Sequence, residues 1–281
     1  MSLKFRTVYG LVHESCFLLD FAAKASDLPR ETLEEFLHLG CFYLNDRRVF
    51  ENRFLNEKDQ VRLHLKPKRY QKPNELPVIF ESENYLVAKK PSGIPCHATL
   101  DNVQENLHCW LEEKCRTKLY VTHRLDVGTE GLIVYAKTVD FLKYFNEQLA
   151  LGKVEKKYYA LTEATLSIGF HVHYMRIQTG SPKICVLAEE ENTQVCQLAI
   201  EASHSAPPYF CNTIRLLTGR THQIRAQLKT LGQPLVGDRL YRTGDNSLPE
   251  VFALQAFSLK FFDNSQNWVE FEIPRELKNF L

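Results

Sequence analysis

Short apolar runs of strand type follow one another along this chain of 281 residues without the regular strand–helix–strand alternation of a parallel α/β sheet. Val78-Ile79-Phe80 and Tyr85-Leu86-Val87-Ala88, separated by the polar Glu81-Ser82-Glu83-Asn84, have the pattern of a hairpin. Leu132-Ile133-Val134-Tyr135-Ala136 reads as a buried strand and Lys156 to Leu161 as another. Further strands are expected at 212–217, 251–262 and 268–273, with loosely placed ones between 165 and 210. Helices are expected around Leu107, Trp110 and Leu111, over 140–149 with Leu142, Phe145 and Leu149 inward, and over 221–231 burying Ile224, Leu228 and Leu231. Gly152 and Gly232 stand where the last two should stop. Strands outnumber helices, so the expected class is α+β, with a mostly antiparallel mixed sheet and flanking helices.

A cationic stretch divides the chain. Arg62, His64, Lys66, Lys68, Arg69 and Lys72 crowd a segment that holds no acid and contains Pro67 and Pro73, which predicts an exposed basic linker over 67–75. Residues 1–66 are expected to form a small α+β module, with a helix over 31–38 stopped by Gly40, strands over 41–44 and 61–65, and a turn at Asn45-Asp46. Residues 76–281 are expected to form the main domain. A hydrophobic fraction of 44% with 25% charge excludes wholesale disorder, and a net charge of +1 excludes a uniformly basic protein while leaving room for a local cationic groove. No apolar run approaches the ~18 residues of a membrane span, and the first residues lack a signal-peptide pattern. The eight cysteines, none in a Cys-x-x-Cys pair, are expected to be reduced thiols of a cytoplasmic protein, taken as a monomer.

Three residues invite a chemical reading. Asp126 closes the polar tetrad His123-Arg124-Leu125-Asp126 in a loop that feeds the buried strand from Leu132. A carboxylate on so rigid a support suits catalysis, and it equally suits a turn aspartate bonding its own backbone. Arg225 follows Ile224 and lies ~100° around the helix from it. There it can hold a carboxylate bidentately or stand on the surface. Strand alternation sets Tyr158 and Ala160 on one face and Lys157 and Tyr159 on the other, so Tyr158 is either a core residue or a ring that stacks on a base. His171-x-His173 lacks a carboxylate or cysteine cluster, so no metal is expected, and no ATP or dinucleotide fingerprint occurs.

In order along 76–281, Lys90-Pro91-Ser92-Gly93, His123-Arg124-Leu125-Asp126-x-x-Thr129-x-Gly131-Leu132, Lys156-x-Tyr158-x-Ala160, and Thr218 to Arg225 followed by Gly237-Asp238-x-x-Tyr241 resemble the motifs of the RluA family of RNA pseudouridine synthases. The N-terminal module resembles, in a degenerate form, the small RNA-binding domain of the ribosomal-protein S-four type. The resemblance implies a sheet of the pseudouridine synthase type and isomerisation of uridine in RNA, in large-subunit ribosomal RNA or in transfer RNA, with no cofactor. It implies that Asp126 is the catalytic aspartate, Arg225 its salt-bridge partner and Tyr158 the ring on the target uracil. Arg124 would occupy the gap left by the flipped base, with His123, Lys156, Arg220 and Lys90 also on the substrate. Glu130, Gln227 and Gln255 depart from the family pattern, and Glu130 would add negative charge near an RNA-facing loop. Two other readings use the same residues: a non-catalytic RNA-binding protein on this scaffold, and a hydrolase pairing Asp126 with His123.

Overall fold

The computed structural model describes residues 7–244 and 251–277, so the extreme N-terminal residues of the sequence reading lie outside the described residues. The chain folds into two compact units. The first takes residues up to Asn74 together with His97–Lys114, and the second takes Glu75–Cys96 and the chain from Cys115 onward. Residues 97–114, which the sequence reading placed in the main domain, thus pack with the N-terminal unit. Val103 N–H donates to Leu39 O at 2.9 Å and Asn102 Nδ2 to Lys68 O at 2.9 Å.

In the first unit, β1 (Thr7–Leu11), β6 (Gln60–His64), β3 (Phe42–Leu44) and β4 (Arg47–Val49) form an antiparallel sheet in that order. Helices α1 (Leu18–Ser26) and α2 (Arg30–Leu39) cover its apolar face, and β2 (Cys16–Phe17) pairs with β5 (Phe54–Leu55). Leu18, Leu33, Phe42, Leu55 and Leu63 form the centre of this core. Asn45 and Asp46 both take positive φ, the geometry of a two-residue hairpin turn with the right-handed twist of its strands. The basic stretch is not a free linker. Arg69 forks onto Glu105 at 2.7–3.1 Å and reaches Glu35 at 2.6 Å, and Lys72 meets Glu113 at 2.6 Å. The acids that neutralise it come from far along the chain, so a local scan finds none.

The second unit is built on an eleven-stranded sheet. Its strands are β7 (Val78–Glu81), β8 (Tyr85–Lys90), β9 (Tyr120–Val121), β10 (Glu130–Ala136), β11 (Glu155–Thr162), β12 (Gly169–Arg176), β13 (Cys185–Val186), β14 (Thr193–Ala206), β15 (Tyr209–Leu216), β16 (Leu254–Phe262) and β17 (Trp268–Glu272). The order is β13-β12-β14-β15-β11-β16-β10-β8-β7, with β9 on β10 and β17 on β16. Among the described residues its pairings are antiparallel except β10 with β16. The helices are α3 (Leu107–Cys115), largely in the first unit, and α4 (Val139–Ala150), α5 (Gln223–Thr230) and α6 (Arg239–Thr243). The α+β class with a mostly antiparallel sheet is therefore what the chain adopts.

Gly131 makes the parallel contact possible. It has φ +119°, and a Cβ there would lie 2.2 Å from Ala256 O, so no side chain fits. Thr138 caps α4 by accepting from Phe141 N–H at 3.2 Å. The helix buries Phe141, Phe145 and Gln148, one position away from the expected stripe at Leu142 and Leu149, which are only partly buried. Gln148 fits inside because its amide donates to Phe262 O at 3.0 Å and accepts from Phe262 N–H at 2.8 Å. No described helix is long and apolar enough to cross a membrane.

Candidate active site

Two loops of the second unit lock together beneath Asp126. Lys90 closes β8, and its Nζ donates to Pro91 O, Ile94 O and Val127 O at 2.7–2.9 Å. Ser92 Oγ donates to Gly128 O at 2.7 Å and Gly93 N–H to Val127 O at 2.8 Å. Cys96 Sγ donates to Leu125 O and accepts from Leu125 N–H, both at 3.1 Å. Thr129 N–H turns back to Asp126 O at 3.1 Å, leading directly into β10. The carboxylate thus sits on a loop pinned from both sides, with its side chain 20% exposed. Lys90 is fully buried and its ammonium donates to three carbonyls, which pins the loop.

His123 is likewise engaged within the fold. Its Nε2 accepts from Val134 N–H at 3.2 Å, extending the pairing of β10 beyond the end of β9, and its ring lies on Phe145. Burial, helped by the charge of Lys156, pushes it down to about 3. The neutral ring has its Nε2 acceptor engaged by Val134 N–H, which argues against its serving as a base for Asp126.

Arg225 reaches Asp126 from α5. Its Nη1 donates to Asp126 Oδ2 at 3.4 Å. The surface alternative for this arginine fails, since it is 1% exposed. Nε and Nη2 donate to the two oxygens of the equally buried Asp238 at 2.7 and 3.0 Å, and the guanidinium lies over the rings of Phe252 and Tyr241. Asp238 was visible in its motif, but nothing local gave it a partner thirteen residues away. Tyr158 points inward from β11 as the alternation predicts, while Tyr159 stacks on Phe257 on the other face. Burial raises the Tyr158 phenol, and the negative charge of Asp126 raises it further, so it stays protonated beside the carboxylate.

Lys156 Nζ lies 3.4 Å from where a Gly219 Cβ would stand, and burial lowers its affinity for a proton. Arg124 and Arg220 are exposed. The departures from the family pattern are accommodated. Gln227 donates to His173 Nδ1 at 2.9 Å and accepts from Gln223 Nε2 at 2.9 Å, while Gln223 Oε1 accepts from Thr218 Oγ1 and Arg220 N–H, both at 2.9 Å. This network ties the 218–220 loop to α5. Gln255 bonds Pro274 O and Glu276 N–H. Glu130 is half-buried, and burial raises its carboxyl, so it is less of an open negative charge than its sequence position suggests. His173 is engaged with Gln227 and His171 with Ser167 O. No group of three His, Cys, Asp or Glu side chains among the described residues is placed to hold a metal.

The sequence over residues 84–230 matches the model of the RNA pseudouridylate synthase family. The chain belongs to that family. It is 32% identical over 220 residues to "RNA pseudouridine synthase 6, chloroplastic" of rice, covering 68% of this chain and 46% of that one, so it spans about half the length of this plant relative. It is 30% identical over 207 residues to the "Dual-specificity RNA pseudouridine synthase RluA" of Vibrio vulnificus, covering 68% of this chain and 80% of the relative. The solved structure "Human RNA Pseudouridylate Synthase Domain Containing 4" has a similar fold, with a TM-score of 0.57 at 21% identity over 71% of this chain and 88% of that one.

Proposed function

We propose that this protein isomerises specific uridines of RNA to pseudouridine, with Asp126 as the catalytic carboxylate. The observation that carries this reading is the placement of Asp126 on a pinned loop, touched by Arg225 and faced by a buried, protonated Tyr158. Isomerisation breaks the bond from ribose C1′ to uracil N1 and remakes it to C5, after which the proton on C5 is released. The base must leave the stack, turn and be recaptured without escaping, which calls for base flipping into a closed pocket. Asp126 supplies the one ionised group the bond cleavage needs, as nucleophile or as counter-charge. Tyr158 offers a ring for the uracil and a hydroxyl near the C5 proton. Arg124 fills the gap left by the base, and Lys156 and Arg220 receive phosphates.

Large-subunit ribosomal RNA is the target this reading favours, with the N-terminal unit as an S-four-type RNA-binding module. Supporting that role, Tyr9 and Arg62 stand opposite each other on the outer face of its sheet, and the cross-strand row continues to a buried Tyr43 and to Arg48, which donates to Thr99 O and Leu100 O. Tyr9 is 74% exposed beside a hollow of about 310 Å³, and the Arg62 guanidinium lies 4.1 Å from the centre of the Tyr43 ring. The eight free thiols suit a reducing cytoplasm. The test is release of tritium from C5-labelled uridine in RNA from cells lacking the gene, followed by position-by-position mapping. Asp126→Asn should release none while still binding RNA; wild-type release by that variant would refute the catalytic assignment. Sites mapped only in transfer RNA would overturn the ribosomal target.

A further inference from the structure

Arg225 is shared unequally by two carboxylates. Asp238 takes the Nε/Nη2 edge at 2.7 and 3.0 Å, and Asp126 receives a single long bond of 3.4 Å from Nη1. Asp238 is itself fixed, accepting from Tyr241 N–H at 3.3 Å at the start of α6. The three groups carry one net negative charge, and only Asp126 is open to a ligand, its side chain being 20% exposed against 1% for Asp238 and Arg225. We propose that Asp238 is a positioning residue for the reaction: by occupying the Nε/Nη2 edge it turns Arg225 so that Asp126 meets Nη1 through a single long bond, and it keeps Arg225 from neutralising the catalytic carboxylate. This rests on the reading of Asp126 as that carboxylate.

The physical argument is one of competition. A planar guanidinium makes its strongest interaction bidentately. A carboxylate held that way has its lone pairs engaged and is a poor nucleophile and a weak counter-charge for a sugar. With the fork filled by a buried partner, Arg225 still orients Asp126, but through one stretched hydrogen bond. The rings of Phe252 and Tyr241 lie 4.2 and 5.0 Å from the guanidinium carbon and hold its plane.

Asp238→Asn removes the charge with little change of shape and turns one acceptor into a donor facing Arg225. The other titratable groups facing Asp126 are Tyr158 from β11, Cys96 after β8 and Tyr241 from α6, all pushed upward by burial and neutral at acid pH. Arg124 and Lys90 are the cationic side chains of the two loops beneath it. Any movement of the acid limb on substitution therefore reports the Asp126–Arg225–Asp238 group.

The assay is tritium release from C5-labelled RNA of cells lacking the gene, with a parallel pH titration of the Asp126 carboxyl carbon by NMR in the RNA-free full chain. In Asp238→Asn, kcat should fall ~10–100-fold with KM within about twofold. The acid limb and the Asp126 carbon titration should both move about one pH unit lower. A wild-type kcat, or an acid limb and carbon titration that stay in place or move upward, would overturn the proposal. If Asp238→Asn does not fold, Asp238→Glu keeps the charge but displaces the fork; kcat should drop with the acid limb unmoved, and a wild-type kcat there also overturns it. Should the wild-type chain release no tritium, the proposed reaction fails, and the carbon titration still decides the coupling between the two aspartates.

Discussion

Removing Arg225 has a cost that its contact with Asp126 alone does not reveal. The carboxylate left most exposed to loss is Asp238, buried to 1% and bonded twice to the guanidinium. Breaking a buried pair by deleting one partner typically costs ~3–5 kcal/mol, because the survivor is an uncompensated charge. Arg225→Met should therefore lose stability on that scale as well as activity, seen as a lower urea midpoint at neutral pH. Arg225→Lys keeps a charge for Asp238 but loses the fork. It should be much closer to wild type in stability while remaining severely slowed. Equal midpoints for the Met variant and wild type would show that Asp238 is solvated or protonated when alone.

At the scale of elements, periodicity located what was locally patterned and missed what tertiary partners decide. Helix α5 was expected over 221–231 and forms over Gln223–Thr230, because His222 takes positive φ at its start. Its faces are buried almost all round, with Gln223 and Gln227 satisfied by each other and by β12 and the preceding loop, so a single apolar stripe was the wrong template. Strand β12 was hard to place because it leaves Phe170 and Val172 exposed while burying His173 and Met175, and β14 carries a register shift between Ile200 and Ala202. Helix α1 starts at Phe17 with no side-chain cap and ends at Asp27 in place of a glycine, so neither end is punctuated. The motif around Asp126 was legible because its loop chemistry is local; the buried hydrogen bonds of Lys90 and His123 beneath it, made to distant backbone groups, were not.

His123 links this element to pH. Its folded value of about 3 lies below the ordinary 6.5, so as pH falls through that window the unfolded chain takes up a proton that the folded chain refuses. Its contribution to stability is present above 6.5 and is lost on acidification, at up to ~1.4 kcal/mol per pH unit. His64 and His173, also lowered by burial, act in the same direction. His123→Gln keeps an acceptor for Val134 N–H and should lose less stability than wild type in urea unfolding between pH 7 and 5. Parallel losses in the two proteins would show that the ring is protonated in the fold.

For the whole molecule, the return of residues 97–114 to the N-terminal unit changes how RNA binding should be dissected. Deleting the first 72 residues would strip Val103, Asn102 and Glu105 of Leu39, Lys68 and Arg69, leaving unpaired groups on the remainder. Point substitutions in the full chain avoid that. Lys66 and Lys68 are exposed on the basic stretch, and a cation that meets a phosphate steepens the fall of log K with log salt by about 0.7 on a single strand. Lys66→Gln with Lys68→Gln should therefore flatten the slope by roughly 1.4 and weaken binding more at low salt than at high salt. Tyr9, on the outer sheet face, carries no charge, so a contribution from it to RNA binding would come by stacking. Tyr9→Ala should weaken binding by a similar factor at every salt concentration, leaving the slope unchanged. Filter binding of the full chain to ribosomal RNA across a salt series separates the two contributions. Affinity and slope unchanged in both variants would assign RNA contact to the second unit instead.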